Sequence, residues 1–74
     1  MKTYALLFSI DTYPQLDELK KMSSEELFDL AWTASTFDDG DASVLTLEEF
    51  SNMVNNDRIS TEFSWLFFVN REED

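Results

Sequence analysis

Two stretches at opposite ends of the chain, TYALLFSI at 3–10 and ISTEFSWLFFVN at 59–70, carry apolar side chains on both faces of an extended backbone. Alternate residues of a strand point to opposite sides. Tyr4, Leu6, Phe8 and Ile10 fall on one face of the first stretch, and Ala5, Leu7 and Ser9 on the other. In the second, Phe63, Trp65, Phe67 and Val69 alternate with Ser64, Leu66 and Phe68. A strand that is apolar on both sides needs cover on both. The two are therefore expected to pair with each other in the middle of a sheet, which brings the ends of the chain together and leaves everything between them to supply the cover.

The intervening sequence reads as helices. The segment DTYPQLDELKKM has cap-type residues at Asp11 and Thr12, a proline suited to a first turn at Pro14, and Lys20 and Lys21 where a helix dipole favours cations. A short helix over 14–21 is expected. In MSSEELFDLAWTAS, Ser23 and Glu26 have capping-box spacing, with Met22 and Leu27 placed as a hydrophobic staple. Leu27, Leu30, Ala31 and Ala34 form one stripe, widened by Phe28 and Trp32, while Glu25, Glu26 and Asp29 face away. A second box, Thr46 to Glu49 with Leu45 and Phe50 as staple, opens a third helix whose stripe is Leu47, Phe50, Met53 and Val54. Residues 36–43 read as loop around Gly40, the single glycine. Short strands are expected at 43–45 and 58–60, because two strands alone are marginal and need further pairing, within the chain or across a dimer.

The order strand, helix, helix, helix, strand predicts an α+β domain: a small, mainly antiparallel sheet, its N- and C-terminal strands central, with about three short helices packed on one face. With 74 residues there is room for one domain, expected over 1–70, followed by a solvated acidic tail at 71–74. The chain has no cysteine, so no disulfide can support so small a core. Two Trp, two Tyr and seven Phe supply the apolar bulk instead, and that content argues against intrinsic disorder. No apolar run approaches the ~20 residues of a membrane helix, and the N-terminal segment lacks the longer apolar core and cleavage site of a secretory signal. A cytoplasmic location is expected.

The net charge of −11 is unevenly spread. Residues 22–57 hold nine acids and no lysine or arginine, and the five bases, Lys2, Lys20, Lys21, Arg58 and Arg71, lie outside that span. Phosphate contacts require cations, so direct binding to nucleic acid or to an anionic membrane is disfavoured. A basic protein partner is favoured. The candidate partner-binding residues are Glu25, Glu26, Asp29, Asp38, Asp39, Asp41, Glu48 and Glu49; the alternative for the same residues is a solvated face that only keeps the protein dispersed.

Within that span, FDDGDASVLTLEEF at 37–50 resembles part of an EF-hand. Such a loop needs oxygen ligands at positions 1, 3, 5 and 12 and glycine at 6. With Glu49 at position 12, Asp38 takes position 1, but Gly40, Ala42 and Ser43 fall at 3, 5 and 6. With Glu48 at position 12, Asp39 and Asp41 fit 3 and 5, but Phe37 falls at 1 and Ala42 at 6. Each register loses what the other keeps, and the capping box accounts for LTLEEF without an ion. No metal site and no cofactor is expected. Histidine is absent as well, so neither the commonest metal ligand nor the usual general base is available. Glu48 and Glu49 are adjacent on a helix, about 100° apart, and do not face each other. No nucleophile–base pair or phosphate loop is present, and the chain is expected not to be an enzyme.

Three further readings concern surfaces. Trp32, Trp65 and Phe68 could form a recognition surface if the helices leave part of the sheet bare. A structural homodimer with no separate ligand would use the same bareness. Asp29 follows Glu25 by four residues and Glu26 by three, giving carboxylates at the ~5–6 Å spacing of a helix face, which could imitate a track of phosphates and occupy a nucleic-acid-binding site on another protein. That reading requires Glu25, Glu26, Asp29, Glu48 and Glu49 to share one face.

The stretches MKTYALLFSIDTYPQLDELKKMSSEELFDLAWTAS and TLEEFSNMVNND resemble small, acidic, uncharacterised proteins encoded by bacterial mobile elements. The resemblance implies a bacterial cytoplasmic setting, and it carries no activity and no functional residue.

Overall fold

The computed structural model describes residues 2–37, 41–56 and 64–72. In chain order the elements are β1 (Lys2–Ser9), α1 (Leu16–Lys20), α2 (Ser24–Phe37), β2 (Ala42–Thr46), α3 (Leu47–Asn55) and β3 (Ser64–Arg71). The three strands form one antiparallel sheet in the order β2-β1-β3. The fold class is the expected α+β. The terminal strands are neighbours along their whole length, from Lys2 opposite Arg71 to Ser9 opposite Ser64. β2 is the short additional pairing expected at 43–45, and it runs from Ala42 opposite Phe8 to Thr46 opposite Tyr4. The other short strand, at 58–60, lies outside the described residues.

Among the described residues, β1 holds the centre of the sheet, with β3 beside it in an outer position. Ala5, Leu6, Leu7 and Phe8 are all buried, which requires cover on both faces. The two faces are covered by different helices. Leu6 and Phe8 join Leu19 of α1, Leu27, Phe28, Ala31 and Ala34 of α2, and Ala42 and Val69 of the flanking strands in one core. Tyr4 meets Phe28 edge-on at 5.1 Å between ring centroids, and Phe8 meets Tyr13 at 5.3 Å and Phe67 at 5.9 Å. α3 lies on the other side. Its Phe50 packs at 5.8 Å against Phe68, a residue of the opposite parity from Phe67 and Val69. Topology explains the split. β2 and β3 both run antiparallel to β1 from opposite sides, so they run parallel to each other, and the connection between them must cross a face of β1. α3 is in that connection, while α1 and α2 already occupy the first face. The three helices are thus divided two and one rather than gathered on a single face.

The helix boundaries follow the local chemistry. α3 starts on a complete capping box: Thr46 Oγ1 accepts from Glu49 N, and the Glu49 carboxylate accepts from Thr46 N, both at 3.1 Å. For α2, Ser23 Oγ accepts from Glu26 N and donates to the Glu26 carboxylate, both at 3.2 Å, so the first turn is held as its spacing predicts. α1 is shorter than the expected 14–21. Thr12, expected near its cap, instead donates to Asp41 Oδ1 at 3.0 Å, and Tyr13 N donates to Ser9 O at 2.8 Å to close a turn after β1. Pro14 is spent in leaving that turn, and the helix begins after Gln15, which makes no side-chain cap.

Leu6 is the largest fully buried aliphatic side chain of the central strand. Leu6→Ala is expected to cost about 2–5 kcal/mol, a large share of the roughly 5–15 kcal/mol total of a small domain, and to lower the urea midpoint accordingly. Glu18→Ala, on an exposed position of α1, is the control and should move the midpoint by less than about 0.5 kcal/mol.

Candidate functional site

The eight acids singled out by charge do not come together. Glu25, Glu26 and Asp29 are exposed on α2, on the first face of the sheet; Glu48 and Glu49 are exposed on α3, on the second. Asp38 and Asp39 lie outside the described residues. Three of the remaining six carboxylates have local partners. Glu26 accepts from Ser23, Glu49 closes the box at Thr46, and Asp41 is held from two directions. The backbone carbonyl of Asp41 accepts from Ser9 N at 2.9 Å and its side chain accepts from Thr12. Asp41 is therefore a tie between the end of β1 and the start of β2 and not the solvated loop charge its neighbours suggested. Among the described residues, no group of three or more acidic side chains converges as a metal site would.

Glu25, Asp29 and Glu48 remain; Glu48 stands apart on α3, while Glu25 and Asp29 lie four residues apart on one face of α2, which Trp32, three residues after Asp29, continues. The helix turns Leu27, Phe28, Ala31 and Ala34 inward and leaves Trp32 at the border of the buried stripe, 56% exposed. Its indole stacks on Phe28, with centroids 6.1 Å apart and planes 14° from parallel. The Phe28 ring also carries the guanidinium of Arg71, 4.0 Å from its centroid. Beside it, Lys2 Nζ lies 5.5 Å from the Tyr4 ring. Tyr4, Phe28, Asp29, Trp32 and Arg71 line an open cleft of about 440 Å³ at this end of the sheet. An adjoining cleft is lined by Ser24, Glu25, Asn70, Arg71 and Glu72, so acids flank Arg71 on its outer side.

The three aromatics considered as a recognition surface are separated. Trp65 is half-buried, and its indole N–H donates to Tyr13 O at 2.6 Å. Phe68 is 57% exposed on the far side of the sheet. Of the three, Trp32 is the one that shares a cleft with Asp29. Arg71, Lys2 and Tyr4 escaped the sequence reading of the site because only the strand register, which sets Lys2 opposite Arg71, places them beside α2. Phe28 was expected in the core, and it is there, with its ring also lining the cleft beneath Arg71.

No protein-family model matches the chain, and no curated protein and no solved structure matches it either.

The capping role of Glu49 separates structure from function at one of the candidate acids. Thr46→Ala is expected to cost about 1 kcal/mol in urea unfolding, whereas Glu49→Gln, which keeps an acceptor for Thr46 N, should cost little. A large loss from Glu49→Gln would mean that its charge, and not only its hydrogen bond, has a task.

Proposed function

We propose that the protein is a non-enzymatic interaction protein that binds a basic protein partner through the acidic outer surface of α2. The observation that carries this reading is the ridge of Glu25, Asp29 and Trp32: two exposed carboxylates and an exposed indole in a span of nine acids without a base. Opposite charge accelerates encounter, and an aromatic side chain gives the contact area that charge alone does not supply. The resemblance to proteins of bacterial mobile elements supports a bacterial, cytoplasmic setting for this partner. Among the described residues, no helix is long and apolar enough to cross a membrane. Mimicry of nucleic acid is the weaker use of the same charges, because α2 and α3 hold their acids on opposite faces of the sheet, where no single track of carboxylates runs across both.

The experiment is an affinity capture from the native host with the intact protein as bait, repeated from low to high salt. A basic partner retained at low salt, released by salt, and lost with the double substitution Glu25→Gln and Asp29→Asn is the expected result. A capture that is empty at every salt concentration counts against the proposal.

One observation favours a second reading, self-association. α3 buries none of its residues fully, and its stripe leaves Leu47 47% and Val54 41% exposed on the helix whose Phe50 packs against the exposed Phe68. An apolar patch of this kind is a usual mark of an interface. A homodimer formed there would sediment as such at micromolar concentration in high salt, where the repulsion between two chains of charge −11 is screened. A monomer under those conditions removes the reading.

A further inference from the structure

Two aromatic rings that line the cleft at the α2 end of the sheet, Phe28 and Tyr4, each carry a cation of the chain itself. The Arg71 guanidinium lies 4.0 Å from the Phe28 centroid, and the Lys2 ammonium 5.5 Å from that of Tyr4. Both positions are supplied by the chain itself, from residues opposite each other on β3 and β1. Trp32 continues the same aromatic row. Its indole is stacked beside Phe28, is more than half exposed, and lines the cleft together with Asp29, three residues earlier on the helix. Indole is the best aromatic acceptor for a cation, and a guanidinium adds planar stacking that an ammonium lacks. A carboxylate at i−3 is within a side chain's reach of that ring and matches the guanidinium fork.

Resting on the proposed binding of a basic partner, we infer that Trp32 and Asp29 form a docking position for one arginine side chain of that partner, with the guanidinium stacked on the indole and paired with the carboxylate, next to the chain's own Arg71 on Phe28. The charges around the cleft favour this occupant over an anionic one. Glu25 and Glu72 line the adjoining cleft around Arg71 and offset it, and Asp29 lines the same cleft as Trp32. A phosphate or a nucleotide would have to approach past those carboxylates. The position selects arginine rather than positive charge in general, because stacking distinguishes the two cations where Coulomb attraction does not.

Hexa-arginine and hexa-lysine peptides, equal in charge, test the inference at low ionic strength against the full-length protein. Each titration is followed by the two indole N–H resonances in a ¹⁵N spectrum. Trp65, bonded to Tyr13 O, serves as the internal reference. Hexa-arginine is expected to bind about 2- to 5-fold tighter than hexa-lysine and to move the Trp32 signal saturably while the Trp65 signal stays. Trp32→Ala should abolish the preference and keep the binding that both peptides share; Asp29→Asn, at an exposed position, should weaken both. Equal affinities with an unmoved Trp32 signal overturn the arginine position and leave the acidic-surface reading standing. Binding by neither peptide overturns both. A larger Trp32 shift with hexathymidylate than with hexa-arginine overturns the inference in favour of an anionic, base-stacking ligand.

Discussion

Ala5, Leu6, Leu7 and Phe8 are buried one after another, and the rest of the molecule follows from that run. Consecutive burial in a strand means that both faces are covered and both edges paired. With 74 residues and no disulfide, the chain meets the requirement with one strand on each side and helices above and below. The cover is unequal. The first face has a closed core of aromatic and aliphatic side chains beneath α2. The second has Ala5 and Leu7 beneath α3, a helix none of whose residues is fully buried. That asymmetry produces two kinds of surface on one small domain: an acidic ridge bordered by an indole over the well-packed side, and exposed apolar side chains, Leu47, Val54 and Phe68, on the thinly covered one.

Much of this was legible in the sequence because it is set by local rules. The alternation in TYALLFSI gave the strand and its two faces. The Ser23–Glu26 and Thr46–Glu49 spacings gave the starts of α2 and α3; the second forms the complete box, while in the first Ser23 Oγ caps Glu26 N and the Glu26 carboxylate accepts from the hydroxyl. What was not legible depends on pairs distant in sequence. Nothing in LTLEEFSNMV says which face of the sheet it will cover; the order of β2 and β3 around β1 decides that. Thr12 looks like a helix cap until Asp41, 29 residues away, takes its hydroxyl. The extent of α1 was misjudged for that reason.

The same division applies to the candidate site. Charge counting found Glu25 and Asp29 but gave equal weight to Glu49 and Asp41, whose side chains are engaged in holding backbone together. A carboxylate three residues after a threonine is ambiguous in sequence between capping and display, and only its hydrogen bonds decide. Trp32 was grouped with the buried stripe because it lies four residues after Phe28. A helix stripe has borders, and the exposure of a border residue depends on how far the neighbouring strand extends, which the helix itself does not encode.

The pairing of β1 with β3 has a consequence for how the chain folds. Lys2 lies opposite Arg71, so the sheet joins residues near both ends of the chain, and one long edge of the most buried strand is unpaired until β3 has been made. The β1–β2 hairpin-like half, with α1 and α2 packed on it, can assemble earlier from contacts closer in sequence. β3 then adds to a preformed edge, with the crossing of α3 over the second face as the accompanying step. High sequence separation of this kind slows folding relative to helical domains of equal size. In a chain made from its N-terminus, it also leaves Ala5 and Leu7 paired on one side only, with one face bare, from the making of β2 until α3 and β3 are in place. Their small and medium side chains present less sticky surface during that interval than the Phe8 and Leu6 that α2 has already covered.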